Sequence, residues 1–214
     1  MDRQARLASL LADDGRWVPP LAYPAATMVL LRDGHVLLLR RAATMAFAPR
    51  MHVFPGGKVE RADQDQADPL MACAQRETLE EVSIRVNECR LIDRWVTPES
   101  EERRYDVSFY LAHTDEFGML STTEADEMFW HTPDQALRLH EQSSLAMLRP
   151  TIAVLKKLAD MEAGRVEDPA PVVAKLPRLR PDGLWDVVEA GTGVVLESGV
   201  AGPRRAETDG TVIT

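Results

Sequence analysis

Arg76, Glu77, Glu80 and Glu81 crowd into one short run, Arg76-Glu77-Thr78-Leu79-Glu80-Glu81. On a helix turning about 100° per residue, Glu81 lies about 40° to one side of Glu77 and Glu80 about 60° to the other. Three carboxylates therefore share one arc of the helix, while Ala72, Leu79 and Val82 point roughly the opposite way, toward a core. Arg76 precedes Glu80 by four residues and can hold its carboxylate from the side. Like charges at this spacing cost only a few tenths of a kcal/mol, so a solvated acidic face would explain the helix taken alone. What favours a site is the nearby Phe54-Pro55-Gly56-Gly57, because glycine lets a backbone carbonyl approach a cation or a phosphate closely. Hard oxygen donors of this kind suit Mg²⁺ or Mn²⁺ better than Zn²⁺.

The elements that must position these residues can be read from pattern. Residues 1–14 carry Leu7, Leu10 and Leu11 at helical spacing, and Val18-Pro19-Pro20 breaks that helix. Ala26 to Leu31 and His35 to Leu39 are apolar runs flanking Asp33-Gly34, a hairpin signal. Met51 to Phe54 reads as a short strand and Lys58 to Asp68 as a polar connection. Pro69 to Val82 is the acidic helix, with Asp68 as its N-cap and Pro69 in its first turn. Strands follow at Val86–Val96, Tyr105–Ala112 and Glu127–His131, with the charged Pro98–Arg104 loop between the first two. Thr132-Pro133-Asp134-Gln135 opens a helix through about Leu139, and Leu145–Met161 reads as a helix interrupted near Pro150. From Pro169 the chain is Pro-rich at first; Leu184–Glu189 and Val194–Glu197 then form a terminal hairpin, and the last dozen residues are expected to be loose. Strands and helices mix without regular βαβ alternation, which gives an α+β class.

Composition narrows the function. The formal net charge of −9 over 214 residues, with no block of Lys or Arg, disfavours nucleic acid, whose affinity for proteins rests on neutralised phosphates. An acidic protein that handles a phosphate substrate needs cations between the two. No apolar run approaches the ~20 residues of a membrane span. Cys73 and Cys89 have no metal-type spacing and read as reduced thiols, so a cytoplasmic protein without a membrane partner is expected. The five histidines show no ligand spacing.

Gly57-Lys58-Val59-Glu60 followed by Arg76-Glu77-Thr78-Leu79-Glu80-Glu81-Val82 resembles the Nudix box. The resemblance implies a mixed β-sheet between helices, an α/β/α sandwich covering about residues 20–162. It divides the chain into an N-terminal helical segment (1–16), a Nudix hydrolase domain (17–165) and a C-terminal extension (166–214). It also implies a loop–helix–loop that holds divalent metal against a diphosphate. Carried across, Glu77, Glu80, Glu81 and the carbonyl of Gly57 would be metal ligands. Arg76 would orient Glu80, Asp63 would align with an earlier glutamate of the box, and Glu60 would support the loop. Either Glu81 or a loop residue outside the box would take a proton from the attacking water. Glu124, six residues before Trp130, resembles the catalytic loop glutamate of some members, and Glu127 competes with it. Arg40, Arg41, Arg103 and Arg104 are candidates to meet substrate phosphates. Family members are often homodimers, and the resemblance carries that expectation here.

Two features depart from the box. Gly57 and Arg76 are nineteen residues apart where the box has fourteen, which puts five extra residues within Asp63–Pro69. Closing the longer loop costs well under ~1 kcal/mol. Ser83 stands where the family has glycine, at a cost on the order of 1 kcal/mol if the position needs positive φ.

Leu37-Leu38-Leu39-Arg40-Arg41 and Phe47-Ala48-Pro49-Arg50-Met51-His52-Val53-Phe54 are similar to the coenzyme A diphosphatase branch, the peroxisomal mammalian type in particular. Thr97-Pro98, Arg103-Arg104-Tyr105-Asp106 and Arg149-Pro150-Thr151 echo it too. That likeness implies CoA or acyl-CoA as substrate. Hydrolysis of ADP-ribose or NADH, and a non-catalytic nucleotide-binding regulator, are the alternatives. The full set of glutamates argues against the regulator.

Overall fold

A computed structural model describes residues 1–164 and 172–200. Helix α1 (Arg3–Ala12) is capped by the Asp2 carboxylate, which accepts from the Ala5 N–H. It lies against the connection around Ser100, where buried Arg6 donates to the Ser100 carbonyl at 2.5 Å and pairs with Glu102. Strands β1 (Tyr23–Arg32) and β2 (His35–Arg41) are joined at Asp33-Gly34, both at positive φ, which matches the twist of a tight hairpin. They pair only at Leu31↔Val36 and Arg32↔His35 and then separate.

Into that separation come two short strands, β3 (His52–Val53) on β2 and β4 (Gly56–Lys58) on β1. The connection after β4 is not wholly irregular: it contains helix α2 (Arg61–Gln64), closed by a capping box between Glu60 and Asp63. Helix α3 (Pro69–Val82) follows, with the Asp68 carboxylate accepting from the Leu70 and Met71 N–H groups. It ends at Ser83, whose φ of 58° is left-handed.

Strand β5 (Arg90–Val96) is shorter than expected, because its ladder with β6 (Tyr105–His113) starts only at Arg90↔Leu111. Strand β7 (Ala125–His131) pairs with β2. Helix α4 (Pro133–Glu141) is capped by Thr132, and α5 spans Arg149–Glu162. Pro150 therefore opens α5 and does not interrupt it, since a first-turn proline gives up no helical hydrogen bond. Residues before it are held otherwise: the Ala146 carbonyl accepts from the His52 N–H at 2.8 Å.

Three further strands lengthen the sheet beyond β5: β8 (Ala174–Leu179), β9 (Trp185–Glu189) and β10 (Val195–Val200). The Pro-rich composition hides β8 in the sequence. It touches β5 only at Ala174 and Lys175, so Pro177 breaks no bond to that neighbour. Lys175 reaches the buried Asp93 carboxylate on β5 and ties the added strands to the rest. The chain's last residues, expected to be loose, lie outside the described residues.

Among the described residues the strands form a mixed ten-stranded sheet in a fold of α+β class, parallel at β1–β6 and β5–β8. Period-two alternation divides the core between its faces. Met28, Leu30, Leu37, Leu39 and Tyr110 pack with Cys73, Ala74 and Val82 of α3. Val29, Val36, Leu38, Phe109 and Leu111 pack with Val154, Leu155 and Leu158 of α5.

Candidate active site

The acidic helix presses Glu77 and Glu81 against the β4 glycines. Thr27 on β1 fixes this strand, its hydroxyl donating to the Pro55 carbonyl at 2.6 Å, while the Met28 N–H donates to the same oxygen at 2.8 Å. The Gly56 N–H then donates to Glu81 Oε2 at 2.9 Å. A side chain would meet backbone at position 56 and the movable end of Glu77 at position 57. A β-carbon at residue 56 would stand 2.5 Å from the Ala26 carbonyl oxygen, and one at residue 57 would stand 2.5 Å from the Glu77 carboxyl carbon.

Arg76 is the hub that orders the acids. Its Nε and Nη2 donate to the two Asp63 oxygens, both at 3.0 Å, while Nη1 donates to Glu77 Oε1 at 2.9 Å and Glu80 Oε2 at 3.0 Å. The expected Arg76–Glu80 contact exists, yet Asp63 receives the two-toothed bond. Burial pushes the Asp63 carboxyl up, but the Arg76 bonds, the Glu60 N–H and the Arg76 charge outweigh it and hold the group below the usual carboxylate range. The box spacing of six residues from Gly57 was the signal for this role, and the insertion obscured it. The extra residues fall after Asp63, so α2 leaves the carboxylate where Arg76 can reach it.

Glu77, Glu80 and Glu81 do not converge as the helical arc predicts. Among the described residues no three His, Cys, Asp or Glu side chains are gathered so as to hold an ion. The reason is that Arg76 takes Glu77 and Glu80 while the Gly56 amide takes Glu81, and the Glu80 side chain is 58% exposed. Electrostatically the acids still act on one another. Burial pushes the Glu81 carboxyl up to about 7; the Gly56 N–H opposes this, the charges of Glu77 and Glu124 add to it, and Arg41 opposes it. Burial also raises Glu77, against Arg76, with Glu80 and Glu124 pushing it further up. Glu81, buried and without an ion-paired partner among the described residues, and Glu77, half-buried and raised in spite of Arg76, are hard oxygen donors of the kind a divalent cation takes. The Gly57 carbonyl presently accepts from the Cys73 thiol at 3.4 Å, and burial raises that thiol to about 12, so Cys73 is a packed neutral group.

Glu124 is exposed in the loop before β7, and its charge reaches both Glu77 and Glu81. The preceding loop is tied to the end of α3: Ser121 donates through its N–H to the Glu81 carbonyl at 2.8 Å and through its hydroxyl to the Glu80 carbonyl at 2.6 Å. Glu127, by contrast, is ion-paired with Arg40, as is Asp126 at 2.7 Å. Arg40 and Arg41 alternate across β2. Arg41 acts on Glu81 and donates to the Phe47 carbonyl at 3.1 Å, whereas Arg40 is occupied by its two acids. Arg103 is exposed in the β5–β6 loop, and Arg104 is buried there as a brace, donating to the carbonyls of Thr97 (3.0 Å) and Pro20 (2.9 Å). The structure thus gathers Gly57, Arg76, Glu77, Glu81 and, through their charges, Arg41 and Glu124. It keeps Arg40 and Arg104 engaged elsewhere.

The model of the NUDIX domain family matches residues 22–150. A Caenorhabditis elegans protein named "Putative nudix hydrolase 7" is 26% identical, over 59% of this chain and 56% of its own length, so the chain spans about half of that curated relative. Among solved structures, a NUDIX hydrolase from Alicyclobacillus acidocaldarius superposes with a TM-score of 0.61 at 26% identity, covering 71% of this chain and 99% of that one. A MutT NUDIX hydrolase from Burkholderia pseudomallei gives 0.53 at 20% identity, covering 64% and 98%, a likeness of fold.

Proposed function

Because the chain belongs to the NUDIX domain family, we propose that it is a divalent-metal-dependent hydrolase of the phosphoanhydride bond in a nucleoside-diphosphate-linked metabolite. The observation that carries this reading is the pair Glu77 and Glu81, two carboxylates pressed against Gly56-Gly57 and both raised by burial, Glu77 in spite of its pairing with Arg76. Glu77, Glu81, Glu80 and the Gly57 carbonyl would hold Mg²⁺ or Mn²⁺. Such an ion, when bound, neutralises the diphosphate and activates water. Arg76, anchored on Asp63, keeps Glu77 and Glu80 oriented. Glu81 and Glu124 are the two candidates to take a proton from the attacking water. Arg41 is the arginine best set to meet a phosphate, since its charge already acts on Glu81.

For the substrate we propose CoA or acyl-CoA, supported by the likeness of Leu37–Arg41, Phe47–Phe54 and Arg103–Asp106 to that branch. The deciding experiment is a Mg²⁺- and Mn²⁺-dependent screen of the purified chain against CoA, acyl-CoAs, ADP-ribose, NADH and oxidised nucleotides, with Glu81→Gln in parallel. Turnover of at least one diphosphate that needs metal and Glu81 supports the hydrolase. Tight binding without turnover of any of them would make the domain a regulator, and unimpaired Glu81→Gln would remove the centre assigned above.

A further inference from the structure

Three aromatic rings and one lysine stand together at the end of the sheet where β4 lies. Tyr23 and Phe47 are 50% and 43% exposed, and Tyr105 lies between them, its ring 6.4 Å from Tyr23 and 5.9 Å from Phe47. The ring planes are tilted by 47° and 59°, so neither neighbour covers the other's face. The Lys58 ammonium sits 4.4 Å from the centre of the Tyr23 ring, and no carboxylate pairs with it among the described residues. None of the three belongs to a core cluster; Tyr23 and Phe47 leave large apolar surface to solvent, Tyr105 is half-buried between them, and Lys58 adds a cation without a carboxylate partner among the described residues.

Their place is as telling as their chemistry. Lys58 follows Gly57 directly on β4, whose strand pairing is with β1 and whose Gly56 N–H and Lys58 carbonyl are held by Glu81 and Arg76 of α3, so the lysine stands within the strand that the acidic helix grips. Tyr23 and Lys58 also line an open surface groove that runs past Glu60 to Arg61 and Gln64, with Phe47 and Tyr105 outside it. Phe47 belongs to the connection between β2 and β3, and its carbonyl accepts from Arg41, whose charge acts on Glu81. The same connection thus holds Arg41 with its backbone and meets the aromatic rings with its side chain.

We infer that Tyr23, Phe47 and Tyr105 form the subsite for the nucleobase of a nucleoside-diphosphate substrate, with Lys58 beside the phosphates. This rests on the hydrolase reading for the phosphates but not for the rings. A flat, weakly polar base stacks on such faces, and the ammonium attracts the charge that a nucleotide brings with it. A single-stranded nucleic acid would want the same rings, but it also needs a basic groove, which a chain of net charge −9 without a Lys/Arg block does not offer.

The test is calorimetric binding of ADP and, separately, of inorganic pyrophosphate, to the full chain in Mg²⁺ and to Tyr23→Ala and Phe47→Ala. Both side chains are half exposed, so the variants should melt with the parent; Tyr23→Phe, which keeps the ring, serves as the second control. The expected result is an ADP affinity about tenfold weaker in each alanine variant, near the parent's in Tyr23→Phe, with pyrophosphate unchanged. Equal losses for both ligands, an unchanged ADP affinity, or a parent that binds ADP no better than pyrophosphate overturns the subsite. So does a shift in sedimentation with no change in ADP binding, which would assign the rings to a contact between copies of the chain. Ring-dependent ADP binding in a chain that hydrolyses nothing keeps the subsite and removes the hydrolase. Metal-dependent hydrolysis with ring-independent ADP binding does the reverse.

Discussion

The carboxyl carbon of Glu77 lies 2.5 Å from where a β-carbon on residue 57 would be, so the absence of a side chain at Gly57 is what lets this acid reach β4. Gly57→Ala should push the carboxylate aside and lower kcat/KM by about a hundredfold, the scale of an ångström's misplacement at a reacting centre. Gly57 is not at positive φ, so its helical content by circular dichroism should match the parent's. Full activity in the folded alanine variant would show that Glu77 need not sit there.

Glu81 predicts a pH dependence of stability in the metal-free protein. Its folded-state value of about 7 is above the ordinary 4.5, so between those values the folded chain holds a proton that the unfolded chain has released. Stability should therefore fall as pH rises through that window, by roughly 3 kcal/mol if Glu81 acted alone, and stay low above it. Glu81→Gln should flatten the profile and melt higher than the parent at pH 8, while turnover drops by orders of magnitude. A parent whose melting temperature is level from pH 5 to 8 would contradict the cause assigned here.

Metal should reverse that penalty. At an Mg²⁺ or Mn²⁺ concentration a hundred times its dissociation constant, the folded state gains about 2.7 kcal/mol, visible as a rise in melting temperature that a chelator cancels. The rise should be larger at pH 8 than at pH 6, where protons compete for Glu81, and smaller in Glu81→Gln. A metal response independent of both would place the ion elsewhere.

Asp63 is the anchor of Arg76, with only 4% of its side chain exposed. Asp63→Ala should cost about 2 kcal/mol in denaturant unfolding, below the range for a fully buried pair because Arg76 remains partly exposed and keeps Glu77 and Glu80. Activity should fall along with it, since Arg76 would then be free to follow either glutamate. Equal stability of the variant and the parent would reduce Asp63 to a cap of α2.

Ser83 holds a φ of 58° at the end of α3 and hydrogen-bonds to the Ser121 hydroxyl at 3.2 Å. Ser83→Gly removes the left-handed penalty of about 1 kcal/mol and also loses that bond, so thermal unfolding should show a net gain below about 1 kcal/mol. A loss would mean that the Ser83–Ser121 contact matters more than the backbone strain.

The sequence alone determined whatever depends on local pattern. The apolar runs of β1, β2 and β6, the Asp33-Gly34 turn, the Asp68-Pro69 start of α3 and the grouping of Glu77, Glu80 and Glu81 on one arc all follow from hydrophobic pattern and from backbone preferences a few residues long. The left-handed φ at Ser83 answers the question raised by its standing where the Nudix box has glycine. Local pattern also has limits: Pro150 reads as a break until α5 is seen to begin there, and Pro177 hides β8. What tertiary structure decided were choices among equally charged partners. Arg76 could have held Glu80 alone; it is Asp63, brought back by α2, that claims two of its bonds. Arg40 and Arg41 are neighbours of the same type, yet the pleat sends one to Asp126 and Glu127 and leaves the other to act on Glu81. Tyr23, Phe47 and Tyr105 meet only because β1 and β6 run parallel and the β2–β3 connection crosses back toward them. Such encounters between residues distant in the chain are set by sheet register and loop path, which no short-range preference encodes.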